Sequence, residues 1–159
     1  MLAELPIHPM IVHFPIVLLI TGFFFDLAAL LLKKTWLGQA ALLLLVLGSL
    51  GAVSAVLAGH AEEDRILKTP AIEHTLEEHE EGGELVMWVF LGITAVRGGL
   101  TWWGKFTPAM RWLFLAVWAA GLGILVVTAY HGGELVYRHG AGVAAVAAPA
   151  GGGSPSEEP

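Results

Sequence analysis

Four apolar stretches divide the chain, at roughly Ile11 to Leu32, Leu37 to Leu57, Glu84 to Val96 and Trp112 to Tyr130. A bilayer core of about 30 Å takes about 20 helical residues to cross, and three of the stretches meet that length. The third is short. Its helix is expected to begin earlier, from about Ile72 within a charged run, so that Glu77 to Glu81 form an outer turn at the headgroups. The pattern predicts an all-α fold, an integral membrane four-helix bundle.

The connections set its orientation. Lys33, Lys34 and Thr35 make a first tight hairpin, and Gly98 to Pro108 close a second; these tips hold Lys33, Lys34, Arg97, Lys105 and Arg111. The opposite side holds Arg65, Lys68 and Arg138 among many acids. Lys and Arg favour the cytoplasmic side, so both tips are expected there and both termini outside, N-out and C-out. Trp36, Trp102, Trp103 and Trp112 fall near the same boundary, where the interface favours indoles. The four-helix domain is expected over residues 1–143. Residues 144–159, rich in Ala, Gly, Pro and Ser, read as a flexible tail with too little bulky surface to pack.

Composition narrows the chemistry. The chain is 56% hydrophobic and 14% charged, outside the balance of soluble domains, so the lipid bilayer is its expected surrounding. A net charge of -6 without a basic stripe excludes nucleic acid as a partner. The absence of cysteine excludes disulfides, iron–sulfur clusters and covalently attached haem. The opening MLAELPIHPM lacks the basic start of a cleavable signal peptide, so the first stretch is expected to stay as a span. No nucleophile–base set, phosphate loop or nucleotide fingerprint is present, which points away from a stand-alone enzyme.

The histidines form a pattern. His8 and His13 stand five apart before the first span, as His74 and His79 do before the third. The second span closes on His60-Ala61-Glu62-Glu63 and the fourth on His131-Gly132-Gly133-Glu134, an H-x-x-E each time. Two repeated helical hairpins are therefore expected, related by a pseudo-twofold axis along the membrane normal. At 1.5 Å per residue from the tip-side boundary, the helices reach about 30 Å to His13, 36 Å to His60, 27 Å to His79 and 30 Å to His131. One imidazole from each helix at one depth is how cofactor and metal sites are built in bundles.

Without cysteine, protein-held haem iron needs His or Met, so bis-His haem b and an electron-transfer subunit are the leading expectation, with His13, His60, His79 and His131 as cofactor or metal ligands. His8, His74 and His139 stand behind them. The alternative is non-haem Zn, Fe or Mn with Glu63, Glu80, Glu84 and Glu134 nearby, although bundle di-iron sites use E-x-x-H rather than H-x-x-E. A structural subunit without cofactor is the third reading. The small-residue stripes Gly48, Ala52, Ala55, Gly59 and Ala116, Ala120, Gly123 suit close helix packing first and space for a flat macrocycle second. Asp26, the acid inside the first span, is expected to snorkel to Lys33 or Lys34. The acidic run Glu73 to Glu84 is expected to be a solvated helix end, able to attract a cationic partner such as a periplasmic cytochrome. The Gly-rich ending suggests that Leu135, Val136 and Tyr137 turn back over the outer mouth.

The stretches IHPMIVHFPI (7–16), AGHAEE (58–63), EEHEEGG (77–83) and YHGGELVYRHGAGV (130–143) resemble a bacterial membrane family known as domain of unknown function 2231. They frame residues 7–143; HPMIVHFP and GGELVYRHGAGV are the specific parts. The resemblance implies a small four-helix membrane domain, in other members joined to Rieske-type or cytochrome c-type domains. Such company implies a redox setting with other membrane redox subunits as partners and an oligomer as an open possibility.

Overall fold

The computed structural model describes residues 7–63 and 69–141, and of residue 71 only the backbone. These form five helices: α1 (Ile7–Ile11), α2 (His13–Leu32), α3 (Thr35–Glu62), α4 (Pro70–Trp102) and α5 (Pro108–Tyr137). The joint between α1 and α2 has a local cause. Pro15 has no amide to offer the carbonyl of Ile11, so the ladder loses a bond where the two helices meet. Lys33 ends α2 in the left-handed region (φ 55°), and Lys34, extended, starts α3 at once. The helices of the second hairpin both begin with Thr-Pro: Thr69 and Thr107 accept the amides of Ile72 and Met110, and Pro70 and Pro108 occupy first-turn positions where the missing amide costs nothing.

Two boundaries differ from expectation. Gly98 and Gly99 do not open a loop; α4 runs through them to Trp102, leaving 103–107 as the tip, where Gly104 supplies a positive φ of 65°. At the other end Leu135, Val136 and Tyr137 continue α5 instead of folding over the mouth, and the turn waits for Gly140 (φ 65°). The predicted tail, residues 144–159, lies outside the described residues.

The helices α2, α3, α4 and α5 stand in a ring in which each packs on the next and α5 returns to α2. Together with α1, they give four segments long and apolar enough to span a membrane, from Ile7–Leu32 to Pro108–Tyr137. The core is a column of Leu19, Leu45, Val86, Phe90, Ile93, Trp118 and Leu125. Outside it the surface is Phe14, Val17, Leu43, Leu50, Trp88 and Val126, all exposed, as a lipid-facing surface requires. Trp36, Trp102, Trp103 and Trp112 are exposed at the tip end.

Glycine sets the closest approaches. A Cβ at Gly48 would stand 2.7 Å from Leu19 Cδ2, and one at Gly22 3.0 Å from the Trp118 ring. The stripe Gly48, Ala52, Ala55 and Gly59 thus serves contact between α3 and the first span. Ala116 and Ala120 of the other stripe are exposed, and Gly123 has nothing within 4 Å, so that stripe lines no slot within this chain.

Near the tips the core is ionic. Asp26 is fully buried and accepts a hydrogen bond from Arg97 Nη2 at 2.7 Å; Arg97 is 1% exposed and also reaches the Gly38 carbonyl at 3.3 Å. Arg111 Nε lies 3.5 Å from the same carboxylate oxygen. Both guanidiniums sit over the ring of Phe106, at 5.2 and 5.5 Å, and Arg97 also faces Trp118 at 5.7 Å. The expected pairing of Asp26 with Lys33 or Lys34 is replaced, since both lysines are exposed and the carboxylate points inward. Arg97, read as a tip residue, is inside because α4 carries on past it.

Removing one member of a buried pair leaves the other charged and unpaired, which costs about 3–5 kcal/mol. Asp26→Ala is therefore expected to lower stability by about that amount in equilibrium unfolding from detergent micelles. Lys33→Ala with Lys34→Ala should stay within about 0.5 kcal/mol of the parent, as exposed substitutions do.

Candidate functional site

At the end of the bundle opposite the hairpin tips, α1 lies against the last turns of α3. Its free first amides are capped from outside: Ile7 N and His8 N donate to Glu62 Oε1 at 2.5 and 3.3 Å. This anchorage turns His8 inward, where Nδ1 lies 2.8 Å from the Ala55 carbonyl and the ring rests on the backbone of Gly59. A Cβ at Gly59 would stand 3.2 Å from His8 Nδ1.

His79 occupies the equivalent position on the second hairpin. Its Nδ1 lies 2.9 Å from the Thr128 carbonyl on α5. Two glycines allow that approach: a Cβ at Gly82 would stand 2.5 Å from Thr128 Oγ1, and one at Gly132 would stand 2.8 Å from His79 Cε1. The rings of His8 and His79 face each other perpendicularly with centres 5.8 Å apart. Because a carbonyl only accepts, each Nδ1 must carry a proton in this contact, so in a neutral ring the lone pair lies on Nε2. His131 adds a third imidazole from α5; its Nδ1 is buried with no hydrogen-bond partner among the described residues, and its Nε2 lies 3.8 Å from Glu78.

The remaining candidates are peripheral to this pair. His13 is exposed at the start of α2. His60 is also exposed, its Nε2 3.3 Å from Glu84 across α3 and α4. His74 is exposed and 3.6 Å from Glu78 on its own helix. His139 donates its amide to the Glu134 carbonyl beyond α5, and the Glu134 carboxylate pairs with Arg138. Glu63 and Glu80 line a shallow hollow with Glu73 and Glu77 on the outer side of α4. Of the four leading histidines, the structure brings His79 and His131 to the inner cluster; His13 and His60 stand outside it, and His8 joins from the second rank. Among the described residues no three side chains of the ligating types converge tightly enough to hold a metal ion as they stand.

Helical phase explains the sorting. Five residues on a helix of 3.6 per turn amount to about 140° of rotation, so H-x4-H cannot turn both rings into one bundle. His8 was hidden in the sequence because the inward face of the first span is set by α1, ahead of the Pro15 joint. The signals that point to it are Glu62 and Gly59 in the closing segment of α3, an acceptor for its amide and a seat for its ring. The carbonyls of Ala55 and Thr128 carry no sequence signal at all.

No curated protein and no solved structure matches this chain. A family model does, across residues 4–145, nearly the full length and including every histidine described above. With its four apolar spans packed as one bundle, the chain belongs to the family described as "Predicted membrane protein (DUF2231)".

Proposed function

We propose that the protein is a membrane electron-transfer subunit whose metal is held between His8 and His79. The observation that carries this reading is the pair itself: two imidazoles from separate hairpins, each fixed by an Nδ1–H···O=C bond and packed ring against ring. That outer-shell arrangement orients ligating histidines in metal proteins. The two ring centres stand 5.8 Å apart with their planes perpendicular, and His8 and His79 are the residues that would hold the metal.

Haem b suits a site with two protein ligands, because the macrocycle supplies the other four donors and the iron supplies the redox couple. The chain's part is to fix the two imidazoles, seat them on Gly59 and Gly132, and exclude lipid. A non-haem ion is the second reading, favoured by one observation: the buried Nδ1 of His131 on α5 has no partner among the described residues, and the Glu78 carboxylate lies 3.8 Å from its other nitrogen. In both readings His60 with Glu84 and the acids of α4 form a charged rim suited to a cationic redox partner such as a soluble cytochrome, or to a neighbouring membrane redox subunit.

Visible spectra of the purified protein, oxidised and then reduced, test the proposal. Haem gives a Soret band that shifts on reduction; a non-haem site gives no Soret band but one metal per chain, lost to a chelator. His8→Ala and His79→Ala should each lower occupancy by at least the 10–100-fold (about 1–3 kcal/mol) that loss of an outer-shell partner costs, while His13→Ala leaves it within about twofold. Full occupancy in His8→Ala, or neither haem nor metal in the parent, overturns the proposal.

The charge count supports a periplasmic His end in an inner membrane, with Lys33, Lys34 and Lys105 in the cytoplasm. The chain has no cysteine, so single substitutions report cleanly. Arg138→Cys should react with an impermeant maleimide in intact cells and Lys105→Cys only after permeabilisation; the reverse pattern would invert the topology.

A further inference from the structure

The tip-end ionic cluster does not balance, either in charge or in hydrogen bonds. Asp26 carries one negative charge and faces two guanidiniums, Arg97 and Arg111, which leaves one excess positive charge among groups that are 0%, 1% and 20% exposed. Arg97 spends Nη2 on Asp26 and Gly38, yet its Nε and Nη1 have no hydrogen-bond partner among the described residues. Arg111 Nε and the Trp118 indole nitrogen are likewise buried without one. Against these donors stands a single unpartnered acceptor, Asp26 Oδ2.

Inserting neutral hydrogen-bonding molecules adds donors as well as acceptors and leaves the charge unchanged. An anion brings acceptors only and cancels the charge, so it settles both shortages together. Access is one-sided. Arg111 is the only partly exposed member, in the first turn of α5 at the rim marked by exposed Lys33, Lys34, Lys105, Trp102, Trp103 and Trp112. Gly38 keeps that route clear, since a Cβ there would stand 2.8 Å from Arg111 Nη2. The planar fork of a guanidinium matches phosphate oxygens in particular.

We infer that Arg111 and Arg97, held by Asp26 and Phe106, form a binding site for a phosphate-class anion at the hairpin-tip face of the bundle, supplied by an acidic phospholipid headgroup or by free phosphate. This site lies at the far end of the bundle from His8 and His79 and stands independently of the metal reading. Arg111 makes first contact at the rim. Arg97 is the buried donor behind it, and Asp26 prevents the two guanidiniums from repelling each other apart.

The test uses the delipidated full chain in a neutral detergent, with thermal unfolding and native mass spectrometry as readouts. Phosphatidylglycerol, phosphatidylcholine and inorganic phosphate are the three probes. A site of this kind raises Tm by about 5–10 °C at a hundredfold excess over Kd, with one ligand retained per chain. A shift with phosphatidylglycerol alone assigns the lipid headgroup, and a shift with inorganic phosphate assigns the free anion. Arg111→Gln should weaken binding at least about tenfold, equivalent to about 1.4 kcal/mol. Arg111→Lys, which keeps the charge and loses the fork, should weaken it less, whereas Lys33→Gln with Lys34→Gln should leave it within about twofold. An equal response to phosphatidylcholine, no response to either anion, or as large a loss from the lysine pair as from Arg111 overturns the inference.

Discussion

The contact between Asp26 and Arg97 crosses the diagonal of the bundle, from α2 to α4, between helices whose backbones are not neighbours in the ring. Large apolar side chains alone impose little of such a constraint in a membrane, because lipid tails meet a leucine as well as another leucine does. A charge buried in the span has one acceptable neighbour, and a one-turn slip of α4 against α2 would separate the pair by about 5.4 Å. The diagonal contact, with Gly38 of α3 and Arg111 of α5 drawn to it, therefore fixes the axial register of all four spanning helices. That register decides which residues meet some distance away, at the His end.

Between the two ends, specificity comes from small notches and short polar links. Ser49 Oγ, with one proton to give, lies 2.8 Å from the Leu45 carbonyl and 3.2 Å from that of Phe90, and 2.8 Å from Thr94 Oγ1, tying α3 to α4 in mid-bundle. Val86, Phe90, Trp118 and Leu125 fill the centre around and beyond it. The core is thus polar at both ends and mainly apolar in between, with Ser49 and Thr94 as its polar link.

The sequence made the spans, the tips and the end that gathers the histidines legible, because each follows from hydropathy, Lys and Arg placement or counting along a helix. Rotation was not legible. His13 and His79 match in the repeat, but α1 sets the phase of the first hairpin so that His8 turns inward and His13 outward, while in the second His79 is inside and His74 outside. Equal spacing of the histidines in the two hairpins therefore does not carry over to which of them faces inward. Arg97 was misplaced for a related reason: a hydropathy stretch ends at the first charge, whereas the helix continues as long as that charge has a buried partner. Partners on a diagonal leave no trace in spacing, and neither do carbonyls that hold imidazoles.

The clasp of α1 by Glu62 has a consequence for how the chain matures. The amide of Ile7 waits for a carboxylate 55 residues downstream, so during synthesis the first span can be threaded and seated while its leading turn still has nothing to grip. His8 takes its place only after α3 has been delivered to the bilayer, and it meets His79 only after α4 follows. The turn that carries His8 is therefore made ahead of α3 yet completed after it, and the two rings come together only when the second hairpin has arrived.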